Sequence, residues 1–259
     1  MANSYQEIAL EARKTVLRLI YKAQTSHIGS NFSAIDIMTV LFEKIDLDKD
    51  KFVLSAGWKA ASLYYFLWRK GRITEKELNS FCQEESKFIG LAEPNVCKDI
   101  IIAGGSMGLG FPGAVGLALA KKIKGEEGKV YCLMSDGEMQ IGTTWEASLI
   151  ASQHKLDNLV VIGDINGFCA MGKTNEILDL RPLVGKWQKF GFQTLEISGH
   201  DYLDIEKALN SSFENKPLII LANTTKGKGV SFMDGENLWH YAQIKEDDYN
   251  KALQELCQK

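Results

Sequence analysis

The stretch from Val130 to Phe168 constrains this chain most, because it predicts two neighbouring strands that both end in polar residues. An apolar run, Val130 to Met134, ends in Ser135-Asp136-Gly137-Glu138, and a second, Leu159 to Ile162, ends in Asp164-Ile165-Asn166-Gly167-Phe168. Between them Thr143 to His154 places Trp145, Leu149 and Ala151 at roughly helical spacing. Strand, helix and strand in that order predict a parallel crossover. Ligands of open parallel sheets bind beyond the carboxyl ends of the strands, so these polar ends form the candidate site.

The residue types there suit one kind of ligand. Asp136 offers a carboxylate, Asn166 an amide oxygen, and Phe168 or a neighbour a backbone carbonyl. All are hard oxygens, suited to Mg²⁺ or Ca²⁺, and Mg²⁺ takes its remaining ligands from phosphates and water. Gly137, directly after the aspartate, lets the main chain approach a phosphate as a side chain there would not. The chemistry suggested is a diphosphate held through a divalent metal.

Composition excludes several other classes. A chain of 259 residues with 45% hydrophobic content suits one α/β domain with a buried core, here taken as residues 1–259. A net charge of -3 and no Lys/Arg cluster give no electrostatic case for nucleic acid. The five cysteines are scattered and never Cys-x-x-Cys, which disfavours a disulfide framework or zinc site and favours the cytoplasm. Met1 to Lys14 has no apolar signal core, and Leu109 to Ala120 is too short to span a bilayer, so no membrane association is expected.

Taken in order, Tyr5 to Ala23 predicts an amphipathic helix that ends near Ser26, with His27 in a loop. Ser33-Ala34-Ile35-Asp36 reads as a capping box opening a helix through about Glu43. Phe52 to Leu54 is a short strand, Lys59 to Arg69 a helix, and Thr74 with Glu77 caps another. Ile100 to Ala103 reads as a buried strand before a glycine-rich turn that opens a helix to about Lys122. Later come a helix over Leu183 to Phe190, a strand over Phe192 to Ile197, a helix over Tyr202 to Ser212, a strand over Pro217 to Leu221 and a closing helix over Asp247 to Leu256. The class is α/β, a mostly parallel sheet with helices on both faces.

Two glycine motifs need weighing. Gly108-Leu109-Gly110-Phe111-Pro112-Gly113 matches the dinucleotide fingerprint, which normally lies on the first crossover with an acidic residue about twenty positions on. Asp136 lies farther away and is followed by Gly-Glu, so packing or approach to a diphosphate explains these glycines better. Lys226-Gly227-Lys228-Gly229 lacks the upstream glycine and the Ser/Thr of a phosphate-binding P-loop, and alone would read as a solvated basic turn.

Together these segments resemble the transketolase family. Asp136-Gly137 followed by Asn166-Gly167 resembles the metal and diphosphate signature of thiamine diphosphate enzymes. Ser26-His27-Ile28-Gly29 is similar to the family's Gly-His-Pro-Gly, and Gly105-Ser106-Met107-Gly108-Leu109-Gly110 to its glycine-rich turn. Lys226 to Phe232, then Trp239-His240, is similar to the transketolase version specifically. The resemblance spans nearly the whole chain, in order, and is to the amino-terminal, diphosphate-binding subunit of a split transketolase.

That resemblance implies roles. Asp136, Asn166 and Phe168 would bind the metal; Trp58, Gly105, Ser106, Met107, Gly137, Glu138, Asn166 and His240 would lie on the cofactor; His27 and His240 would serve catalysis. The family's activating glutamate comes from another domain, and nothing after His240 is long enough to supply one. A pyrimidine-binding, carboxy-terminal transketolase-like partner chain is therefore expected, in a heterotetramer with two copies of each chain, acting on a sugar or sugar phosphate.

The chain also departs from the family. Trp58 stands where the family has a phosphate-contacting histidine, and an indole offers one N–H and no charge. Leu91 replaces a histidine that holds the donor's terminal hydroxyl, and Ile141 replaces a glutamate linking the two active sites, although Glu146 matches a second family acid. The leading expectation is transfer of a two-carbon ketol unit. Alternatives are a donor such as pyruvate, a catalytically silent scaffold chain, and an NAD-dependent oxidoreductase.

Overall fold

A computed structural model describes residues 2–94 and 96–258. Five strands form one sheet: β1 (Lys51–Leu54), β2 (Val130–Ser135), β3 (Leu159–Ile165), β6 (Gln193–Ser198) and β7 (Leu218–Asn223). Their order is β1-β2-β3-β7-β6, with every pairing parallel. A two-stranded antiparallel hairpin, β4 (Phe168–Cys169) with β5 (Gly172–Lys173), follows β3 at its carboxyl end and leads into the short α7 (Thr174–Ile177).

Alternation along the strands divides the core in two. Leu133, Val160, Ile162, Leu218 and Ile220 face a layer that holds α1 (Ala2–Ala23), α2 (Ile28–Lys44), α3 (Ala60–Arg69), α9 (Tyr202–Leu209) and α10 (Glu246–Cys257). Val130, Cys132, Val161, Ile219 and Leu221 face α5 (Gly110–Lys124), α6 (Gly142–Gln153) and α8 (Leu183–Lys189). Side chains two residues apart share a face of a strand, so a sheet covered on both sides must be apolar at nearly every position. No helix among the described residues is long and apolar enough to cross a membrane.

Two expectations fail for local reasons. The helix expected from Ser33 already starts at Ile28, launched from His27 in the left-handed region at φ 73°. Ser33 caps nothing: its hydroxyl lies against the Ser30 carbonyl and donates to Asp164 at 2.6 Å. Ile100 to Ala103 forms no strand, and Ile101 is exposed. The segment meets β1 only beyond its carboxyl end, where Gly104 accepts a bond from the Gly57 N–H at 3.0 Å. A Cβ at Gly104 would lie 2.0 Å from the Leu54 carbonyl oxygen, so this close crossing requires glycine. The Thr74–Glu77 capping box is present, heading α4 (Glu75–Asn79).

Candidate active site

β2 and β3 run in register, pairing Ser135 with Asp164, so their ends deliver Asp136 and Asn166 side by side. Asp136 is buried, and its two carboxylate oxygens accept from the Gly137 N–H at 2.9 Å and the Gly167 N–H at 2.7 Å. The Asn166 amide oxygen accepts from the Phe168 N–H at 3.0 Å. Gly167 turns the chain at φ 80°, which is how Asn166 and Phe168 come to flank one point. Burial, then the neighbouring Asp164 carboxylate, pushes the Asp136 carboxyl up to about 7. A buried acid beside a second acid is a place where a cation is favoured.

These strand ends border a cavity of ≈ 240 Å³, lined in part by Gly137, Asn166 and Phe168. His27, Trp58, Gly105, Met107 and His240 close its other sides. Asp136 faces an adjoining cavity of ≈ 350 Å³ that shares Phe168. Ser106 is exposed on the turn and lines neither cavity. Glu138 turns away: it is fully buried, and one of its carboxylate oxygens accepts from the Ser55 hydroxyl and, at 3.2 Å, from the Gly108 N–H. It fastens the glycine-rich turn to the end of β1 rather than facing the cavity, and burial pushes its carboxyl up to about 7.

The glycines of the fingerprint-like run are filled by the protein itself. A Cβ at Gly108 would lie 2.4 Å from Ile141 Cγ2, one at Gly110 2.5 Å from Ser55, and one at Gly113 2.6 Å from Ile102 Cδ1. This run packs a helix against its surroundings, which removes the basis for a dinucleotide site. Ile141 has a packing partner in the same contact.

Two imidazoles and two ammonium groups gather around the strand ends: His27, His240 and Lys59 line the same cavity, and Lys226 Nζ lies 5.6 Å from the centre of the Phe168 ring. His240 Nδ1 lies 2.8 Å from Lys226 Nζ; an ammonium only donates, so His240 carries its proton on Nε2. His27 Nδ1 lies 2.7 Å from the Ser26 hydroxyl, and the two rings meet edge-on with centroids 5.0 Å apart. Burial, then Lys226, depresses both imidazoles, His27 to about 4 and His240 to about 3, so both are neutral at physiological pH. Lys226 itself is lowered to about 8, by burial and then by Lys59.

Lys59 and Lys226 are the residues that sequence reasoning passed over. Lys59 lines the cavity wall, fully buried, with its Nζ paired to Asp164 and 3.0 Å from the Ser30 carbonyl. Lys226 stood in the Lys-Gly-Lys-Gly run that resembles the transketolase loop but carried no role of its own, and Lys59 had no signal. A third cavity of ≈ 240 Å³ shares His27 and Trp58 with the first and is walled by Leu91 and Phe81 against Thr25 and Ser26.

The donor set fits a divalent cation with a diphosphate. Asp136, the Asn166 amide oxygen and the Phe168 carbonyl are hard ligands, and His240, which lines the cavity, keeps its Nε2–H to donate, while the buried Lys226 Nζ is bonded to His240 Nδ1 and to Asn237 Oδ1, each at 2.8 Å. No group of three or more His, Cys, Asp or Glu among the described residues could hold a metal, so any cation here must take other ligands from its anion and water. Gly137 lines the cavity, and a Cβ there would come to 3.1 Å from Cys169 Cβ, so the close approach of the hairpin leaves little room for a side chain.

Residues 4–259 match the family described as the transketolase thiamine diphosphate binding domain. The chain is 36% identical to one subunit of the apulose-4-phosphate transketolase of Actinobacillus succinogenes, covering 98% of this chain and 97% of that one. It is 32% identical to a 6-deoxy-6-sulfo-D-fructose transketolase subunit of a Clostridium species, covering 94% and 93%. Among solved structures, it superposes on transketolase from Campylobacter jejuni with a TM-score of 0.91 at 32% identity, covering 98% of this chain but only 42% of that longer one. These matches show that the chain belongs to the transketolase family, as its thiamine diphosphate-binding domain.

Proposed function

We propose that the chain is the amino-terminal subunit of a two-chain transketolase, moving a two-carbon ketol unit from a ketose or ketose phosphate to an aldose. The observation that carries this reading is the delivery of Asp136 and Asn166 by adjacent strand ends that border the cavity His240 also lines, with Lys226 bonded to His240. Asp136, the Asn166 amide oxygen and the Phe168 carbonyl would hold Mg²⁺, or Ca²⁺ in its place. Gly105, Met107, Gly137, Lys226 and the His240 Nε2–H would hold the diphosphate, with Trp58 beside them. When bound, thiamine diphosphate supplies the carbanion chemistry that lets an acyl-anion equivalent pass between substrates. His27, neutral and with Nδ1 occupied by Ser26, can donate or accept one hydrogen bond through Nε2 at a substrate hydroxyl.

The partner reading rests on the relatives named as transketolase subunits, which match this chain nearly end to end. A pyrimidine-binding partner chain would close the site, in a heterotetramer with two copies of each chain. The five free cysteines accord with a cytoplasmic setting. The test is donor cleavage by the chain combined with its partner: release of an aldose from a ketose phosphate that depends on thiamine diphosphate supports the reading, and its absence overturns it.

Affinity for the cofactor should depend on pH through Lys226. Its folded value near 8 lies below the ordinary lysine value, and a bound diphosphate favours the charged form. The Lys226 contribution is therefore full below about 8 and falls as pH rises through it, while below about 7 protonation of Asp136 weakens the metal side. Calorimetry between about pH 7 and about pH 9 should show that slope, and Lys226→Met should flatten it.

Leu91 favours a second reading of the donor. The third cavity offers apolar Leu91, Phe81 and Trp58 on one wall and no Lys or Arg among its lining residues, which suits a methyl as in pyruvate better than a charged group. A buried hydroxyl left unpaired there costs about 1 to 3 kcal/mol. Leu91→His should therefore raise kcat/KM for a ketose phosphate over that for pyruvate by about tenfold. An unchanged ratio would show that Leu91 only packs against Gly105, which it reaches.

A further inference from the structure

We propose that Lys59 is a positioning residue for Asn166: its ion pair with Asp164 fixes the Asn166 amide with the oxygen available to the metal. This rests on the cofactor reading above. Lys59 follows Trp58 in the 3-10 turn Gly57–Lys59, so the cation sits one residue beyond the uncharged indole.

The geometry beneath Asn166 is one-sided. Asp164 is fully buried, and its Oδ2 takes the Lys59 ammonium, the Ser33 hydroxyl at 2.6 Å and the Asn166 Nδ2 at 3.4 Å, while Oδ1 takes the Thr224 hydroxyl. The Asn166 Nδ2 also lies 3.3 Å from Ser33 Oγ. A carboxylate paired with an ammonium presents acceptors only, and Ser33 has directed its single hydroxyl proton toward other oxygens. The two oxygens nearest the amide, Asp164 Oδ2 and Ser33 Oγ, both accept from it, so the amide places its NH₂ there. Its oxygen is then left for the Phe168 N–H and for a cation at the strand ends. The opposite rotamer would point NH₂ groups at the metal.

Lys59 thus acts on the metal through two carboxylate bonds without touching it. Removing the ammonium leaves a fully buried carboxylate without its counter-charge, which destabilises the fold and favours the protonated acid, whose O–H can donate to the Asn166 oxygen and so lets the amide turn. Removing both charges separates the two effects. In the double variant Lys59→Met/Asp164→Asn, the introduced amide satisfies Ser33, Thr224 and either orientation of Asn166.

The test uses the chain combined with its partner, titrated with Mn²⁺ in the presence of thiamine diphosphate and followed by electron paramagnetic resonance. Lys59→Met should weaken Mn²⁺ binding by about 10- to 100-fold, the range for residues that orient metal ligands. The double variant should recover the thermal unfolding midpoint of the unaltered protein yet keep weakened Mn²⁺ binding. Mn²⁺ affinity that returns together with stability would overturn the positioning role and leave a purely structural pair. If Lys59→Met does not fold, the double variant alone decides. An unaltered complex that retains no Mn²⁺ would instead overturn the cofactor reading on which the inference stands.

Discussion

Asp136→Ala is expected to abolish metal-dependent binding of thiamine diphosphate while leaving the protein folded. In the proposed site the carboxylate would be the charged ligand, and its loss should weaken metal affinity by more than the about 100-fold that even indirect residues cost. Stability should change little, because relief of a buried charge offsets the loss of the bonds to the Gly137 and Gly167 N–H groups. Burial and Asp164 raise the Asp136 carboxyl from 3.8 to about 7, so the folded state binds the proton more tightly than the unfolded chain. For an acid raised on folding, that favours the fold at low pH, and the advantage is lost as pH rises from near 4 toward about 7. At neutral pH the charge therefore costs the empty fold stability, and alanine removes that cost. Calorimetry with cofactor and Mg²⁺, beside a thermal melt of the same variant, checks both halves; unchanged cofactor affinity would remove Asp136 from the metal site.

The chain alone is expected to show no transferase turnover. Its cavity is lined on one side by Met107, and nearby segments expose Leu109, Met171, Leu238 and Tyr241, at 58%, 76%, 69% and 63% respectively. In the proposed two-chain enzyme the partner would cover this apolar surface. Without it the cavity would be open to water, and the reacting end of a bound cofactor would lack the partner's groups. Addition of the partner chain should restore turnover from background to the full rate. Robust turnover by the purified chain would sink the two-chain reading, and size-exclusion chromatography of the two chains mixed would show the complex directly.

The parts of the site that were legible in sequence are those fixed locally. Asp136 and Asn166 follow apolar strand runs, and strand ends in a parallel sheet fall on one edge regardless of what packs around them. Lys59 was not legible, because a lysine beside a tryptophan reads as surface until its partner is known, and that partner lies 105 residues away. Glu138 follows Asp136-Gly137 in sequence, yet the 3-10 turn Gly137–Gln140 rotates it toward Ser55 and away from the cavity. Apolar Ile100 to Ala103 resembled a strand because its composition says nothing about whether a neighbouring edge is free to pair. The glycines from Gly108 to Gly113 matched a fingerprint for reasons of packing, visible only once Ile141, Ser55 and Ile102 are seen against them.

Anomalous diffraction from crystals of the complex grown with Mn²⁺ and thiamine diphosphate tests the central claim most directly. The account predicts one metal peak within about 2.2 Å of an Asp136 carboxylate oxygen, the Asn166 amide oxygen and the Phe168 carbonyl, with the diphosphate between it and Lys226 and His240. A metal bound elsewhere, or a diphosphate outside the cavity between Gly137 and His240, would contradict it.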